Sequence, residues 1–150
     1  MLYFAYGANL NKEGMKYRCP NAKPVGKFVL PNHQLVFKGV ADIEERDGSL
    51  VEGVLWDITD ECEQALDRFE GFPHLYVKRT YWRTTNGYSE PIMFYVMRRA
   101  EYSMPSFSYL ETIRQGYRDF KLDQRCLDYA LTYTEENSSG VKYYSMQWGS

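Results

Sequence analysis

The sequence predicts an α+β protein whose mainly antiparallel sheet can curl into a small β-barrel. Three observations carry this reading. Short, aromatic-rich runs with strand character dominate the chain from Leu2 to Met97. One amphipathic helix pattern interrupts them and two more follow Pro105. Strands and helices therefore do not alternate as in a parallel βαβ protein, and about six strands rich in Tyr and Gly suit a small barrel. A length of 150 residues fits one domain spanning 1–150.

The elements follow in order. LYFAY, from Leu2 to Tyr6, is short, continuous and aromatic, and Gly7 bounds it, which predicts a buried first strand. NKEGMKYRC predicts a short helix that stops before Pro20. GKFVL and QLVFKGV read as two strands separated by Pro31, Asn32 and His33. The polar stretch ADIEERDGSL reads as a loop turning at Asp47-Gly48, and VEGVLWDI as the next strand. In TDECEQALDRFEG, Thr59 is a helix cap, and Asp60 and Glu61 suit the positive end of the dipole. Cys62, Ala65, Leu66 and Phe69 form one apolar stripe. Gly71 is placed for a left-handed cap, and Pro73 stops the helix. YVKRTYWRTT and EPIMFYVM flank Asn86-Gly87, a hairpin signal. SFSYLETIRQGYRDF places Leu110, Ile113 and Tyr117 on one helical face. In DQRCLDYALTYTEE, Asp123 is a cap and Leu127, Ala130 and Leu131 pack. The tail ENSSGVKYYSMQWGS shows turn residues and then aromatics.

Composition excludes several classes. A formal charge of -2 provides no electrostatic footprint for nucleic acid or an anionic membrane surface. No apolar run approaches a bilayer span, and the first residues lack a signal-peptide pattern. The expectation is a cytoplasmic protein with neither nucleic acid nor membrane as a partner. Cys19, Cys62 and Cys126 are scattered without a CxxC pair, and only His33 and His74 are available beside them. Neither a disulfide framework nor a metal site is expected; no cofactor motif is present. Fourteen Tyr residues are many, and each can pack its ring while offering a hydroxyl to a pocket.

Two places could carry chemistry. At Gly7-Ala8-Asn9-Leu10 the chain turns small directly after a buried strand. Small residues let backbone N–H groups converge on a carboxylate or phosphate; the same residues also make an ordinary turn. A phosphate loop is excluded, since no GK[ST] or GxGxxG follows. The second place is Glu70, at the end of LDRFEG. A carboxylate there faces the negative end of the helix dipole, and aromatic walls would raise its pKa further, making it a stronger base. Alternatively it is an exposed residue at a frayed helix end. Asp67 is the alternative acid in the same turn, but it is assigned to the polar side. GxSxG is absent and nothing in their spacing pairs a Cys with a His, so nucleophilic hydrolase chemistry has no support.

Together FAYGANL, LDRFEGFPHLY, MFYVM and PSFSY, in this order, resemble the gamma-glutamylcyclotransferase family, including its AIG2-like and gamma-glutamylamine cyclotransferase-like members. The resemblance runs from Leu2 to the region of Phe120; the tail beyond Glu135 matches no motif. It implies a small, mostly antiparallel β-barrel with flanking helices and a pocket at the barrel mouth. It also implies that the loop Tyr6, Gly7, Ala8, Asn9 and Leu10 binds the α-carboxylate end of the substrate through backbone amides. Glu70 would be the acid/base, with Tyr76, Tyr95 and Tyr109 near the pocket. Serine is usual where Ala8 stands. The implied reaction is intramolecular aminolysis of a small gamma-glutamyl amide, releasing 5-oxoproline and a free amine without metal or cofactor. Neither the leaving amine nor the oligomeric state can be read from the sequence. The alternative is a non-catalytic small-ligand-binding protein of the same fold.

Overall fold

The structure is a computed structural model in which residues 1–138 are described; most of the aromatic tail lies outside the described residues. The fold is α+β, as expected. Strand β1 (Leu2–Ala5) leads through a 3-10 turn (Ala8–Leu10) into helix α1 (Lys12–Arg18). Long strands β2 (Lys23–Phe37) and β3 (Ala41–Asp57) follow, then helix α2 (Asp60–Glu70). Strands β4 (Tyr76–Thr85) and β5 (Tyr88–Met97) form the predicted hairpin, and α3 (Phe107–Asp119) and α4 (Gln124–Glu136) complete the described chain. Among the described residues no helix is long and apolar enough to cross a membrane.

The strands make one five-stranded sheet in the order β2-β3-β1-β5-β4. Only β1 and β5 pair in parallel; the other pairs are antiparallel. β1 is therefore a central strand buried between β3 and β5, which is why LYFAY lacks alternation.

The sheet is not a closed barrel. β2 and β4 are its two edges, and no ladder joins them. Instead the sheet curls until side chains meet across the seam. The Phe28 and Tyr81 rings approach to 6.1 Å between centroids, and Arg83 lies 5.8 Å over the Phe28 ring. His33 meets Phe94 edge-on at 5.6 Å. Farther along, Asp42 Oδ1 accepts the Met97 N–H at 2.9 Å and ties β3 to β5. The unpaired seam leaves a groove of about 440 Å³ lined by His33, Lys38, Asp42, Arg79, Phe94 and Met97, among others.

Among the described residues five strands replace the expected six or so because GKFVL and QLVFKGV are a single strand. Asn32 takes a positive φ of 58° and the pairing register with β3 shifts between Pro31 and His33, but the ladder resumes beyond. ADIEERDGSL is likewise not a loop. Ala41–Glu45 pair with His33–Phe37 as the first part of β3, and the strand continues through Asp47 and Gly48, where the pairing register shifts and Gly48 takes φ 83°. Its polar look has two causes: Glu45 and Arg46 are exposed, and Asp42 is buried but paired with Lys38 Nζ at 2.7 Å.

Helix caps follow the sequence. Thr59 accepts the Cys62 N–H, Asp123 that of Arg125, and Gly71 closes α2 at φ 67°. Cys62 and Leu66 are buried, and Ala65 and Phe69 pack partly against the same core. In α3 the buried side is Tyr109, Ile113, Gly116 and Tyr117, with Leu110 at its margin.

Candidate active site

The site forms where β1 runs out. Gly7 has little room for a side chain: a Cβ there would lie 3.0 Å from that of Ala41 and 3.2 Å from the Tyr109 hydroxyl. Gly116 of α3 serves the same turn from behind, since a Cβ would come within 2.5 Å of Leu10 Cβ and 2.7 Å of its carbonyl carbon. The turn is thus packed closely on two sides, and Ala8, Asn9 and Leu10 are all buried. The Leu10 N–H donates to the Gly7 carbonyl at 3.0 Å, so it is occupied within the turn. The N–H groups of Ala8 and Asn9 meet no acceptor among the described residues, as expected for the first amides of a helical turn.

Glu70 comes from the opposite direction, at the last turn of α2. Asn9 joins the two. Its Nδ2 donates to Glu70 Oε1 at 3.3 Å and to the Tyr3 hydroxyl at 2.9 Å. Its Oδ1 accepts from Arg18 Nε at 2.9 Å, and its carbonyl accepts from Trp56 Nε1 at 3.1 Å. Glu70 is half-buried as a residue, and burial pushes its carboxyl from an ordinary 4.5 up to about 8, against a weaker downward pull from Arg18. Asp67, one turn back, is not on the polar side. It is half-buried, accepts from the Tyr95 hydroxyl at 2.7 Å, and pairs with Lys78 Nζ at 2.9 Å. The stripe pattern misplaces it because the side chain reaches over to β4 and β5.

The tyrosines surround this pair. Tyr6 donates to the Tyr95 carbonyl and Tyr76 to the Ala41 carbonyl, both at 2.6 Å. The Ala41 N–H donates to the Tyr109 hydroxyl at 2.8 Å. Ala41 therefore pins Tyr76 from β4 and Tyr109 from α3 against the Gly7 turn. Tyr3 meets Tyr95 edge-on at 5.9 Å. Burial holds the Tyr3, Tyr6 and Tyr76 phenols neutral well above their ordinary range, and Tyr95 likewise through burial and its bond to Asp67. The electrostatic influence of Glu70 reaches all four.

Tyr6, Gly7, Ala8, Asn9, Leu10, Glu70, Tyr76, Tyr95 and Tyr109, singled out in the sequence, are thus gathered at one end of the sheet. Tyr3, Arg18, Trp56 and Ala41 complete the constellation and were not anticipated, and Asp67, the alternative acid of the same turn, joins them. Tyr3 looked like plain strand core, and Arg18 is one cation in a short helix that also carries Lys12 and Lys16. Among the described residues no three His, Cys, Asp or Glu side chains converge as a metal ion would need.

The site thus brings a carboxyl raised by burial beside a tightly packed main-chain turn, with neutral phenols around it. The chain belongs to the gamma-glutamyl cyclotransferase, AIG2-like family, which it matches over residues 3–117. It is similar in structure to a protein described as a gamma-glutamyl cyclotransferase, with a TM-score of 0.73, 26% identity, and coverage of 97% of this chain and 90% of that one. An uncharacterised protein from Homo sapiens superposes with a TM-score of 0.72 at 26% identity, covering 97% of this chain and 94% of that one. An AIG2-like protein from Mus musculus shares the fold at a TM-score of 0.54 and 18% identity, over 73% of this chain and 81% of that one. No match is found among curated proteins.

Proposed function

We propose that this protein is a cyclising enzyme that converts a small gamma-glutamyl amide into 5-oxoproline and a free amine. The substrate folds back so that its α-amine faces its own γ-carbonyl. Glu70 takes a proton from the amine as nitrogen attacks the carbonyl carbon. The tetrahedral intermediate then collapses, the C–N bond to the leaving group breaks, and Glu70 returns the proton to the departing nitrogen. The carboxylate is regenerated, and neither water nor metal is consumed.

The observation that carries this reading is Glu70 itself, tethered to the Gly7–Leu10 turn through Asn9 at 3.3 Å and raised to about 8 by burial. A solvated glutamate near ~4.3 is too weak a base for an amine, whereas one matched to the amine exchanges a proton at little cost. The Ala8 and Asn9 amides are suited to the substrate's α-carboxylate, and Tyr6, Tyr76, Tyr95 and Tyr109 to shaping the fold-back. Positioning of this kind can lower a barrier by up to roughly 7–11 kcal/mol.

The test is incubation of the purified protein with a panel of gamma-glutamyl amino acids, peptides and amines, followed by mass spectrometry for 5-oxoproline. Its release together with an equal amount of amine supports the reading. Binding of the same compounds with no product across the panel would instead make this a binding protein of the same fold.

A further inference from the structure

Arg18 lies outside every motif that marks the site, yet it is built into it. The guanidinium stacks on the Phe69 ring, 4.0 Å from the centroid. It also packs so closely on Gly14 that a Cβ there would come within 2.8 Å of Nη2. Held by these contacts, Nε donates to Asn9 Oδ1 at 2.9 Å. Asn9 is buried, and its amide could in principle face either way. Arg18 decides the matter, because a guanidinium only donates. Oδ1 must turn toward Arg18, and Nδ2 must then turn toward Glu70 Oε1 and the Tyr3 hydroxyl.

We propose that Arg18 is a positioning residue for the reaction: by locking the Asn9 amide with Nδ2 toward Glu70, it keeps that carboxyl in a form able to accept a proton. Without the lock, Asn9 can flip and present Oδ1, which accepts a hydrogen bond from the protonated acid and holds Glu70 neutral. The other titratable groups facing Glu70 are Tyr3 of β1, Tyr6 beyond it, Tyr76 of β4 and Tyr95 of β5, all phenols kept neutral by burial. Asp67 lies one turn back on α2, where it shares the Lys78 ammonium with Glu63 and accepts from Tyr95. Among the described residues, Arg18 is the charged group whose field acts on Glu70. Amide lock and charge favour the same ionised state.

The inference rests on Glu70 being the acid/base, so its test reads Glu70 directly as well as through turnover. The full chain is labelled with carbon-13 glutamate, and the Glu70 carboxyl resonance is assigned by its loss in Glu70→Gln. Titration of Arg18→Met, which keeps the apolar stem over Phe69, is expected to show the Glu70 midpoint raised by about one pH unit or more. Arg18→Lys, which restores charge but not the fixed donor to Asn9, should show a smaller rise. In turnover the acid limb of kcat/KM should move alkaline by the same amount. A Glu70 midpoint unchanged in Arg18→Met would overturn the proposal. If Arg18→Met does not fold, an unchanged midpoint in Arg18→Lys would do the same. A clear midpoint shift in a protein that forms no 5-oxoproline would uphold the role of Arg18 on Glu70 while removing the cyclisation reading.

Discussion

Replacing Glu70 by Gln should stabilise the protein, and only on the alkaline side. A carboxylic acid whose pKa is raised on folding binds its proton more tightly in the native state. Stability is therefore lost as pH rises from 4.5 through about 8, because the folded protein must ionise a group that the unfolded chain ionises easily. At roughly 1.4 kcal/mol per pH unit, that interval sets a ceiling of about 5 kcal/mol. Glu70 is only half-buried, so an effect of order 2 kcal/mol is the working expectation, corresponding to about 4–8 °C in Tm for a domain of this size. The position at the C-terminus of α2 adds in the same direction, since an ionised carboxylate there opposes the dipole. Gln keeps the shape and the acceptor for Asn9 but cannot ionise. The assay is thermal denaturation of both proteins at about pH 5 and about pH 9, read as the difference between variant and wild type so that other titrations cancel. A Tm advantage near zero in acid and several degrees in base is expected. The same difference at both pH values would refute a Glu70 carboxyl raised by burial.

Further outcomes follow from the same geometry. In wild type, kcat/KM should rise with pH through a midpoint near 8, the value burial imposes on Glu70, and a limb below about pH 5 would place the titrating base elsewhere. Gly116→Ala drives a methyl toward the Leu10 backbone; it should lower Tm by several degrees and raise KM, both measurable on one preparation. Asp42→Asn removes the closest partner of Lys38, leaving Glu44 Oε2 at 3.4 Å, and should destabilise by about 3 kcal/mol in urea unfolding, the lower end for a broken buried pair.

Much of the fold was legible because local signals agreed with the tertiary outcome. Thr59, Asp123, Gly71 and the Asn86-Gly87 turn each sit where their backbone chemistry predicts. The misread stretch, ADIEERDGSL, looked like a loop because its polar residues satisfy partners brought from elsewhere. Asp42 bonds Lys38 and the Met97 N–H, and Glu44 accepts from Tyr102. Edge pairing of β3 with β2 leaves no hydrophobic alternation to detect. That the curled sheet stays open was likewise invisible locally, since its edges meet through side chains of β2, β4 and β5 and not through a strand ladder.

At the site, motif residues were visible and their organisers were not. Glu70 and the Gly7 turn stand out in sequence, but Asn9 becomes the link between them only when α2 folds back on β1. Arg18 and Tyr3 act through their bonds to Asn9 and Ala41 through long-range bonds to Tyr76 and Tyr109, contacts that no motif spacing encodes.

The most direct test compares 5-oxoproline release by wild type and Glu70→Gln on whichever gamma-glutamyl compound the wild type cyclises. Release slowed by ~10²–10⁴-fold in kcat, with KM nearly unchanged and 5-oxoproline still bound by the variant, is the predicted result. Turnover by Glu70→Gln within a few-fold of wild type would contradict Glu70 as the group that moves the proton.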